Sequence, residues 1–339
     1  MRNIEKAEVV LKIPKKRHFL IVGALGEAMK SFIKLAEQYL PQDPVLVISN
    51  KKWSKDLELL CRKSNFSVYC TDDLNARETR EEIKKHQSNI CLSLGGVWIF
   101  KNDIIDLFNG LIFNCHAADL PYYRGPGGGY SWQILNKEKD MSVVMHQLTR
   151  EVDAGAVLLK KTRKFKKGVI YPVDIYDIVY DLTEEILTDF IKLINNSSDL
   201  FLKPQNHKQA VYFSRLESSI NGAIDLNWDR EHIKLFIDAF SEPFKGAFLF
   251  YKDEKVHIKK AGVSQRKKIF HPFANGLIIN RSNDSLEVIV NKGTILLQKI
   301  CDESGKEIPF NKFNLGGRFY MPSEILDKAK SYVRKMVKE

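Results

Sequence analysis

Short apolar runs alternate with amphipathic segments through the N-terminal half of the chain. The runs span residues 18–24, 44–49, 66–70, 89–94 and 111–116. Between them, apolar residues recur at helical spacing over residues 27–40, 53–64 and 75–87. Unbroken apolar runs of this length are typical of strands that are buried on both faces. The alternation therefore predicts an α/β fold, with a Rossmann-like parallel sheet covered by helices on both sides.

The pattern changes after this region. Residues 141–150 and 155–165 are two further predicted strands, and residues 173–196 form a long amphipathic helix. The Ser, Pro and polar residues of 197–209 predict a linker. Beyond it, a short helix over residues 229–240 precedes several brief strands separated by turns, which predicts a smaller, barrel-like β-rich domain.

A chain of 339 residues is long for one domain and comfortable for two. We predict an N-terminal α/β domain over residues 1–200 and a connector of helix and strands over residues 201–262. A C-terminal β-rich domain with a terminal helix is predicted over residues 263–339.

The net charge of the chain is +11, with a pI of about 9.2. An excess of cations suits an anionic partner such as nucleic acid or nucleotide phosphates. A solvated, lysine-rich surface explains the charge equally well. The densest basic run, residues 160–168, fits an exposed strand edge kept soluble by lysine better than it fits a phosphate site.

Composition also bears on the compartment. No apolar run approaches the ~20 residues of a membrane helix, and the charged N-terminal stretch does not resemble a secretory signal. The five cysteines are widely spaced, without a C-x-x-C pair, so they indicate neither a zinc site nor a disulfide framework. We therefore expect a cytoplasmic protein with reduced thiols and no metal.

A glycine pair follows the first buried run. Gly23 and Gly26 suit a dinucleotide-binding turn, but the full G-x-G-x-x-G spacing is missing. No acidic residue stands clearly at the end of the second run. A tight turn between strand and helix explains the glycines more simply.

Asn114 and His116 stand two residues apart at the end of an apolar run. A strand places such residues on one face, and parallel sheets bind ligands at the carboxyl ends of their strands. Asp153 lies between the next two strands and could reach back to His116, raising its pKa and fixing its tautomer. An amide can donate to an oxygen on which negative charge develops. The three residues would suit attack of a neutral amine on a carbonyl carbon; a histidine packed in the core is the alternative.

Three separated elements together carry a resemblance to a known family. They are Asn-x-His at 114–116, Leu-Pro-x-Tyr-Arg-Gly at 120–125 followed by Trp132, and Val-Asp-Ala-Gly at 152–155. In this order they resemble the 10-formyltetrahydrofolate-dependent formyltransferase family, which includes methionyl-tRNA formyltransferase and the nucleotide-sugar N-formyltransferases. The resemblance covers residues 16–200 and continues more weakly through residues 215–248. The β-rich remainder is similar to the family's C-terminal barrel.

The resemblance implies roles for individual residues. Asn114 would hold the formyl oxygen, and His116 would stabilise the charge on it and handle a proton. Asp153 would orient His116 and help to accept the amine proton. The formyl donor would be 10-formyltetrahydrofolate, contacted by Gly95, Gly96, Val97, Trp98, Leu120, Val152 and Asp153. Trp98 could equally be a core residue.

The chain departs from the family pattern near the predicted acceptor site. Ala118 stands where many members carry Ser, and a glycine-rich segment, residues 125–132, replaces their Arg-Gly-x-x-Pro. The glycines could cradle a phosphate or merely form a turn. Predicted acceptor contacts are Tyr123, Arg124, Gly128, Gly129 and Trp132, with packing as the alternative role of Trp132.

The acceptor itself stays open between alternatives. We expect a nucleotide-linked amino-deoxysugar, a 3- or 4-amino-dideoxyhexose on dTDP or a similar nucleotide, because the glycine-rich segment suits a small acceptor. No long basic insertion follows Gly23, as the tRNA enzymes carry. A methionyl-tRNA formyltransferase is the alternative that the net charge favours, and a catalytically silent folate-binding module is a third. Family analogy implies a homodimer, with no membrane partner.

Overall fold

The structure, a computed structural model, describes residues 8–62, 64, 66–96, 98–126, 130–166 and 171–334. The predictions made for Val97, Gly128 and Gly129 lie outside the described residues.

The N-terminal part alternates strands and helices along the chain. Its elements are β1 Val9–Lys12, β2 Phe19–Gly23, α1 Glu27–Tyr39, β3 Val45–Ser49, α2 Ser54–Cys61, β4 Ser67–Cys70, α3 Arg77–Lys85, β5 Ile90–Leu94, α4 Asn102–Ile105, β6 Ile112–His116, α5 Ser131–Leu135, β7 Asp140–Gln147, β8 Val157–Lys164, α6 Pro172–Asn196 and β9 Asp199–Leu202.

Seven of these strands form one sheet in the order β4-β3-β2-β5-β6-β7-β8. The first five are mutually parallel, whereas β7 runs antiparallel to both β6 and β8. The predicted Rossmann-like α/β fold is therefore confirmed, with β7 and β8 added at one side through antiparallel pairing. β5 and β6 are neighbours in this sheet. Their carboxyl ends lie at the same edge, where Asn114 and His116 stand.

The central strands are buried on both faces. Phe19 and Ile21 of β2 belong to one apolar core, and Leu20 and Val22 belong to a second core on the opposite face. Such a strand has no polar face to present to water, which explains why its sequence is an unbroken apolar run.

At position 23 a glycine is required by the close approach of a neighbouring strand, and not by a turn. A Cβ atom at this position would lie 1.7 Å from the carbonyl oxygen of Leu94 in β5. Only a residue without a side chain allows this approach. The structure therefore replaces the explanation by a tight turn that we gave from the sequence.

The predicted linker contains a strand. β9 pairs antiparallel with β1, with Val9 opposite Leu202 and Lys12 opposite Asp199. Lys203 then forms a backbone bridge with Val157 at the start of β8. The segment that follows β9 is thereby fixed next to the sheet that carries the predicted catalytic residues.

The C-terminal part is built mainly of antiparallel strands. Its elements are α7 Ser218–Asn221, α8 Arg230–Ala239, β10 Ala247–Tyr251, β11 Glu254–Val263, β12 Ile278–Arg281, β13 Leu286–Val290, β14 Gly293–Cys301, β15 Phe319–Tyr320 and α9 Ser323–Ser331. The strands form one sheet in the order β12-β13-β14-β11-β10-β15. The predicted β-rich domain is confirmed. The boundary predicted between residues 262 and 263 falls within this sheet, because β10 and β11 belong to it.

Helix α8 joins the two parts. The hydroxyl of Ser131 in α5 donates to the carbonyl of Ala239 at the end of α8, at 2.7 Å. Ile134 of α5 and Ile233 of α8 belong to the same apolar core. The antiparallel sheet is therefore packed to the α/β domain through a shared core.

The described residues include no helix long and apolar enough to span a membrane. All five cysteines are free thiols. Within the same described ranges, no group of three or more His, Cys, Asp and Glu side chains is placed to hold a metal ion.

Glu287 of β13 is a buried carboxylate that we expect to stabilise the C-terminal sheet. It accepts hydrogen bonds from the Arg266 guanidinium, Ser264 and Thr294, each at 2.8 Å. The bond from Arg266 leads in lowering the pKa of Glu287 to about 2, although burial opposes it. A carboxyl whose pKa is lowered by folding stabilises the fold above its ordinary pKa and loses that effect as the pH falls.

Glu287→Gln should lower the free energy of unfolding at neutral pH by about 1–3 kcal/mol, because it weakens charged hydrogen bonds to partly buried donors. It should also flatten the loss of stability between the ordinary carboxyl pKa and the lowered value. Urea unfolding across that acid range measures both effects. Glu254→Gln, at an exposed strand position, is the control; equal curves for Glu287→Gln and wild type would contradict the prediction.

Candidate active site

Asn114 and His116 lie at the carboxyl end of β6 and project from the same face of the strand. Their backbone partners on the antiparallel neighbour β7 are His146 and Val144. On the other side, the loop after β5 begins at Gly95 and Gly96, both exposed. The site therefore lies between a parallel neighbour that ends in an accessible glycine loop and an antiparallel neighbour that contributes a second histidine.

The imidazole of His116 is held in one tautomer by the backbone. Its Nε2 lies 2.7 Å from the carbonyl oxygen of Tyr123, and a carbonyl can only accept, so Nε2 carries a proton. Burial lowers the pKa of His116, and the nearby His146 lowers it further, although Asp153 acts in the opposite direction. The neutral ring therefore has its basic lone pair on Nδ1, which lies 3.7 Å from Asp153 Oδ2.

Asp153 is buried between two imidazoles. Besides its approach to His116, its Oδ1 lies 3.5 Å from Nε2 of His146. The backbone N–H of Gly125 donates to its Oδ2 at 2.8 Å. Burial would raise the pKa of Asp153, but His116, His146 and the Gly125 N–H together hold that pKa well below its usual range. The residue is therefore a carboxylate, placed to stabilise a positive charge on His116 Nδ1.

His146 is a member of this cluster that the sequence analysis missed. It is fully buried, its Nδ1 donates to the carbonyl of Gln147 at 2.9 Å, and its Nε2 lies 3.4 Å from the amide nitrogen of Asn114. Its position opposite Asn114 follows from the antiparallel register of β6 and β7. The sequence predicted the strand, but it gave neither its direction nor its register.

The residues predicted to contact folate lie around this edge and differ in how exposed they are. Gly95 and Gly96 are exposed, Val152 is half-buried and Leu120 is buried. Trp98 packs against the second apolar core, and its indole nitrogen donates to the carbonyl of Asp72 at 3.1 Å. This placement matches the core role that we kept as its alternative.

Tyr123 and Trp132, predicted to contact the acceptor, are mainly packed against the segment after β9. The Tyr123 ring stacks on Phe213 with centroids 4.9 Å apart, and the Trp132 ring lies 5.1 Å from the same ring. The indole of Trp132 also donates to the carbonyl of Ser214 at 2.9 Å. The packing role is the one that these contacts favour for both residues.

Arg124 lies where a phosphate could not reach it. The residue is 1% exposed, and its guanidinium donates to Gln205 through both Nε and Nη2, at 3.1 and 2.8 Å. Its Nη1 donates to the carboxylate of Glu151 and to the hydroxyl of Tyr212. The placement argues against the predicted contact between Arg124 and the acceptor, because the whole guanidinium is used inside the protein.

The ionisation of His116 can be measured directly. We expect its imidazole to titrate below the ordinary value of 6.5, because burial disfavours the charged ring. Asp153→Asn should move the titration lower still, because the carboxylate is what raises the pKa of His116. Nuclear magnetic resonance of ring-labelled histidine, assigned with a His116→Gln variant, measures both shifts. A midpoint above 6.5, or an upward shift in Asp153→Asn, would contradict the electrostatic description.

Comparison with known proteins places this fold and site in a family. Residues 15–188 match the sequence profile described as Formyl transferase, and residues 218–318 match that described as Formyl transferase, C-terminal domain. The first match alone covers half of the chain. The chain belongs to the formyl transferase family, whose members are enzymes that transfer formyl groups, as the sequence motifs predicted.

Relatives with known names are similar at low identity. The methionyl-tRNA formyltransferase of Rickettsia bellii is 25% identical over 76% of this chain and 80% of its own length. Among solved structures, the sugar 3N-formyl transferase WlaRD, crystallised with dTDP and 5-N-formyl-THF, has a TM-score of 0.60 at 21% identity, over 84% of this chain and 98% of its own.

A second solved structure is similar to the same extent. It is an N-formyltransferase from Helicobacter canadensis in complex with folinic acid and dTDP-3-aminofucose. Its TM-score is 0.59 at 19% identity, over 84% of this chain and 99% of its own. At these identities the two likenesses show that the fold is shared across both parts of the chain.

Proposed function

We propose that this enzyme transfers the formyl group of 10-formyltetrahydrofolate to the amino group of a nucleotide-linked amino-deoxysugar. The observation that carries the proposal is the cluster of Asn114, His116 and Asp153, in which a neutral imidazole presents its basic nitrogen beside an ionised carboxylate. Such a pair accepts a proton from an attacking amine and stabilises the cation that results.

Each residue of the cluster has a distinct task in the proposed reaction. His116 Nδ1 takes the proton of the amine as the nitrogen attacks the formyl carbon, and returns it to N10 of the folate as the bond between N10 and the formyl carbon breaks. Asp153, buried and charged, stabilises the imidazolium and keeps the ring oriented. The amide of Asn114 donates to the formyl oxygen as negative charge develops on it. Because the site is largely buried, these interactions are stronger than they would be in water.

The folate would lie along the edge formed by the loop after β5. Gly95 and Gly96 leave backbone groups accessible next to Asn114, as recognition of a pterin ring edge requires. Leu120 and the backbone of Val152 are further proposed contacts. Supporting evidence is that the two solved neighbours carry 5-N-formyl-THF and folinic acid.

Two observations support a sugar nucleotide as the acceptor. The two neighbours of shared fold carry dTDP and dTDP-3-aminofucose, and each is matched over nearly its full length. The glycine-rich segment in place of the family's usual sequence suits a compact acceptor. The alternative, methionyl-tRNA, is favoured by the net charge of +11 and by the similar relative from Rickettsia bellii.

A competition between acceptors separates these proposals. The purified protein and 10-formyltetrahydrofolate are offered dTDP-linked 3-amino- and 4-amino-dideoxysugars together with methionyl-tRNA, and mass spectrometry identifies the formylated product. His116→Ala serves as the blank. A formylated sugar nucleotide supports the proposal and would place the enzyme in surface-polysaccharide synthesis. Formylation of the tRNA alone would overturn it.

A further inference from the structure

One side chain, Gln205, connects the loop that carries Asp153 with the loop that follows His116. Gln205 lies after β9 and is 4% exposed. Its Nε2 donates to the carbonyl oxygens of Asp153 and Gly155, at 2.9 and 2.7 Å. Its Oε1 accepts the two hydrogen bonds from Arg124, which lies in the loop after β6. The amide thus joins the Asp153 loop to the loop that follows His116.

The backbone around Arg124 strengthens this connection. Arg124 N donates to the carbonyl of Val211, and Phe213 N donates to the carbonyl of Arg124, each at about 2.8–2.9 Å. The next residue, Gly125, has a φ of +91° and uses its N–H on the Asp153 carboxylate. The segment that follows β9 therefore runs alongside the loop that completes the site.

The backbone of Asp153 adopts an uncommon conformation that its surroundings help to fix. Its φ is +52°, in the left-handed region that residues with a side chain rarely adopt. A residue persists in this conformation only where its surroundings fix it. The two hydrogen bonds from Gln205 fall on the carbonyl of Asp153 itself and on that of Gly155, two residues later.

We propose that Gln205 and Arg124 are positioning residues, which hold the Asp153 carboxylate against the imidazole of His116. The inference rests on the proposed function, because it assigns Gln205 and Arg124 a role in that same site. Arg124 orients Gln205 with a pair of hydrogen bonds, and the Nε2 of Gln205 donates both of its hydrogen bonds to the Asp153 loop. Neither residue touches the reacting groups.

Gln205→Glu removes the hydrogen bonds to the Asp153 loop and keeps an acceptor for Arg124. A glutamate keeps oxygen acceptors for Arg124 but loses the N–H donors and directs a carboxylate at two carbonyls. We expect kcat to fall by roughly a hundredfold, as a displaced catalytic group can cause, with the KM for the folate within about twofold of wild type. Gln209→Glu, in the same segment and exposed, is the matched control and should retain wild-type kcat.

The titration of His116 is the readout that a purely structural role would not move. If Asp153 shifts away, the imidazole of His116 loses the carboxylate that raises its pKa, and its titration in Gln205→Glu should move toward that of Asp153→Asn. Arg124→Lys, which keeps the charge but not the paired N–H groups, should give a smaller shift in the same direction. It also provides the test if Gln205→Glu does not fold.

The titration of His116 is independent of the acceptor. The titration uses the free protein, so it decides the positioning role even if no acceptor in the competition is formylated, which would contradict the proposed function alone. A wild-type titration of His116 in folded Gln205→Glu, or in Arg124→Lys if only that variant folds, would overturn the positioning role. A shifted titration with reduced kcat and an unchanged KM would support it.

Discussion

Replacing His116 with Ala should lower kcat by about a thousandfold in the reaction proposed here, as loss of a general base does. The His116 imidazole has its Nε2–H fixed on the Tyr123 carbonyl, which leaves Nδ1 to take the proton. The folate KM should change little, because the proposed folate contacts lie on the loop after β5 and on neighbouring backbone. Steady-state assays of formyl transfer measure both constants.

The matched control is a His–Asp pair at the start of α8. His232 Nδ1 lies 2.8 Å from Asp229 Oδ1, closer than the 3.7 Å between His116 and Asp153, but the pair is outside the cluster and His232 is largely exposed. His232→Ala should keep wild-type kcat. A His116→Ala protein that is folded and turns over within tenfold of wild type would show that the proton leaves the amine by another route.

Asp153→Asn is the second change with a large expected effect, a fall in kcat of about a hundredfold or more. The asparagine keeps the shape of the side chain, can still accept from the Gly125 N–H, and tolerates the positive φ better than most residues. What it lacks is the negative charge that stabilises the imidazolium of His116. The expected loss is therefore in kcat.

Asp229→Asn controls for the same chemical change on α8. There the aspartate caps the helix by accepting from the backbone N–H of His232, a role that asparagine also fills. Its kcat should equal that of wild type. Near-full turnover in Asp153→Asn, measured beside this control, would remove Asp153 from the proton-handling step.

The strands were predictable because burial on both faces leaves a strong signal. The run predicted over residues 111–116 is β6, Ile112–His116, and the run over residues 89–94 is β5, Ile90–Leu94. These two strands place Asn114 and His116 at an edge where ligands bind. The three elements of the motif supplied the rest, since their order along the chain matched one family.

Partners that are distant along the chain were not predictable. β1 and β9 are short and only half-buried, and their pairing joins residues 9–12 to residues 199–202. A short amphipathic strand carries no information on which strand it will join. His146 was missed for the same reason, because its contact with Asn114 depends on how β7 pairs with β6.

Arg124 shows where motif reasoning misplaces a residue. An arginine in a loop near an active site suggests a contact with an anionic ligand, because arginine is almost never fully buried unless it is paired. Its partner Gln205 comes from the segment predicted as a linker, and its partner Tyr212 lies just beyond that segment. Only the folded arrangement of that segment reveals that the charge is satisfied internally.

Transfer of a formyl group from folate to a sugar amine can be followed directly with an isotopic label. The protein is supplied with 10-formyltetrahydrofolate that carries the label in its formyl group and with a dTDP-linked 3-amino-dideoxysugar, and mass spectrometry follows the label. We expect a labelled N-formyl sugar from wild type and at most a trace from His116→Ala. Label that remains on the folate with every amino sugar, while methionyl-tRNA accepts it, would show that the acceptor is not a sugar amine.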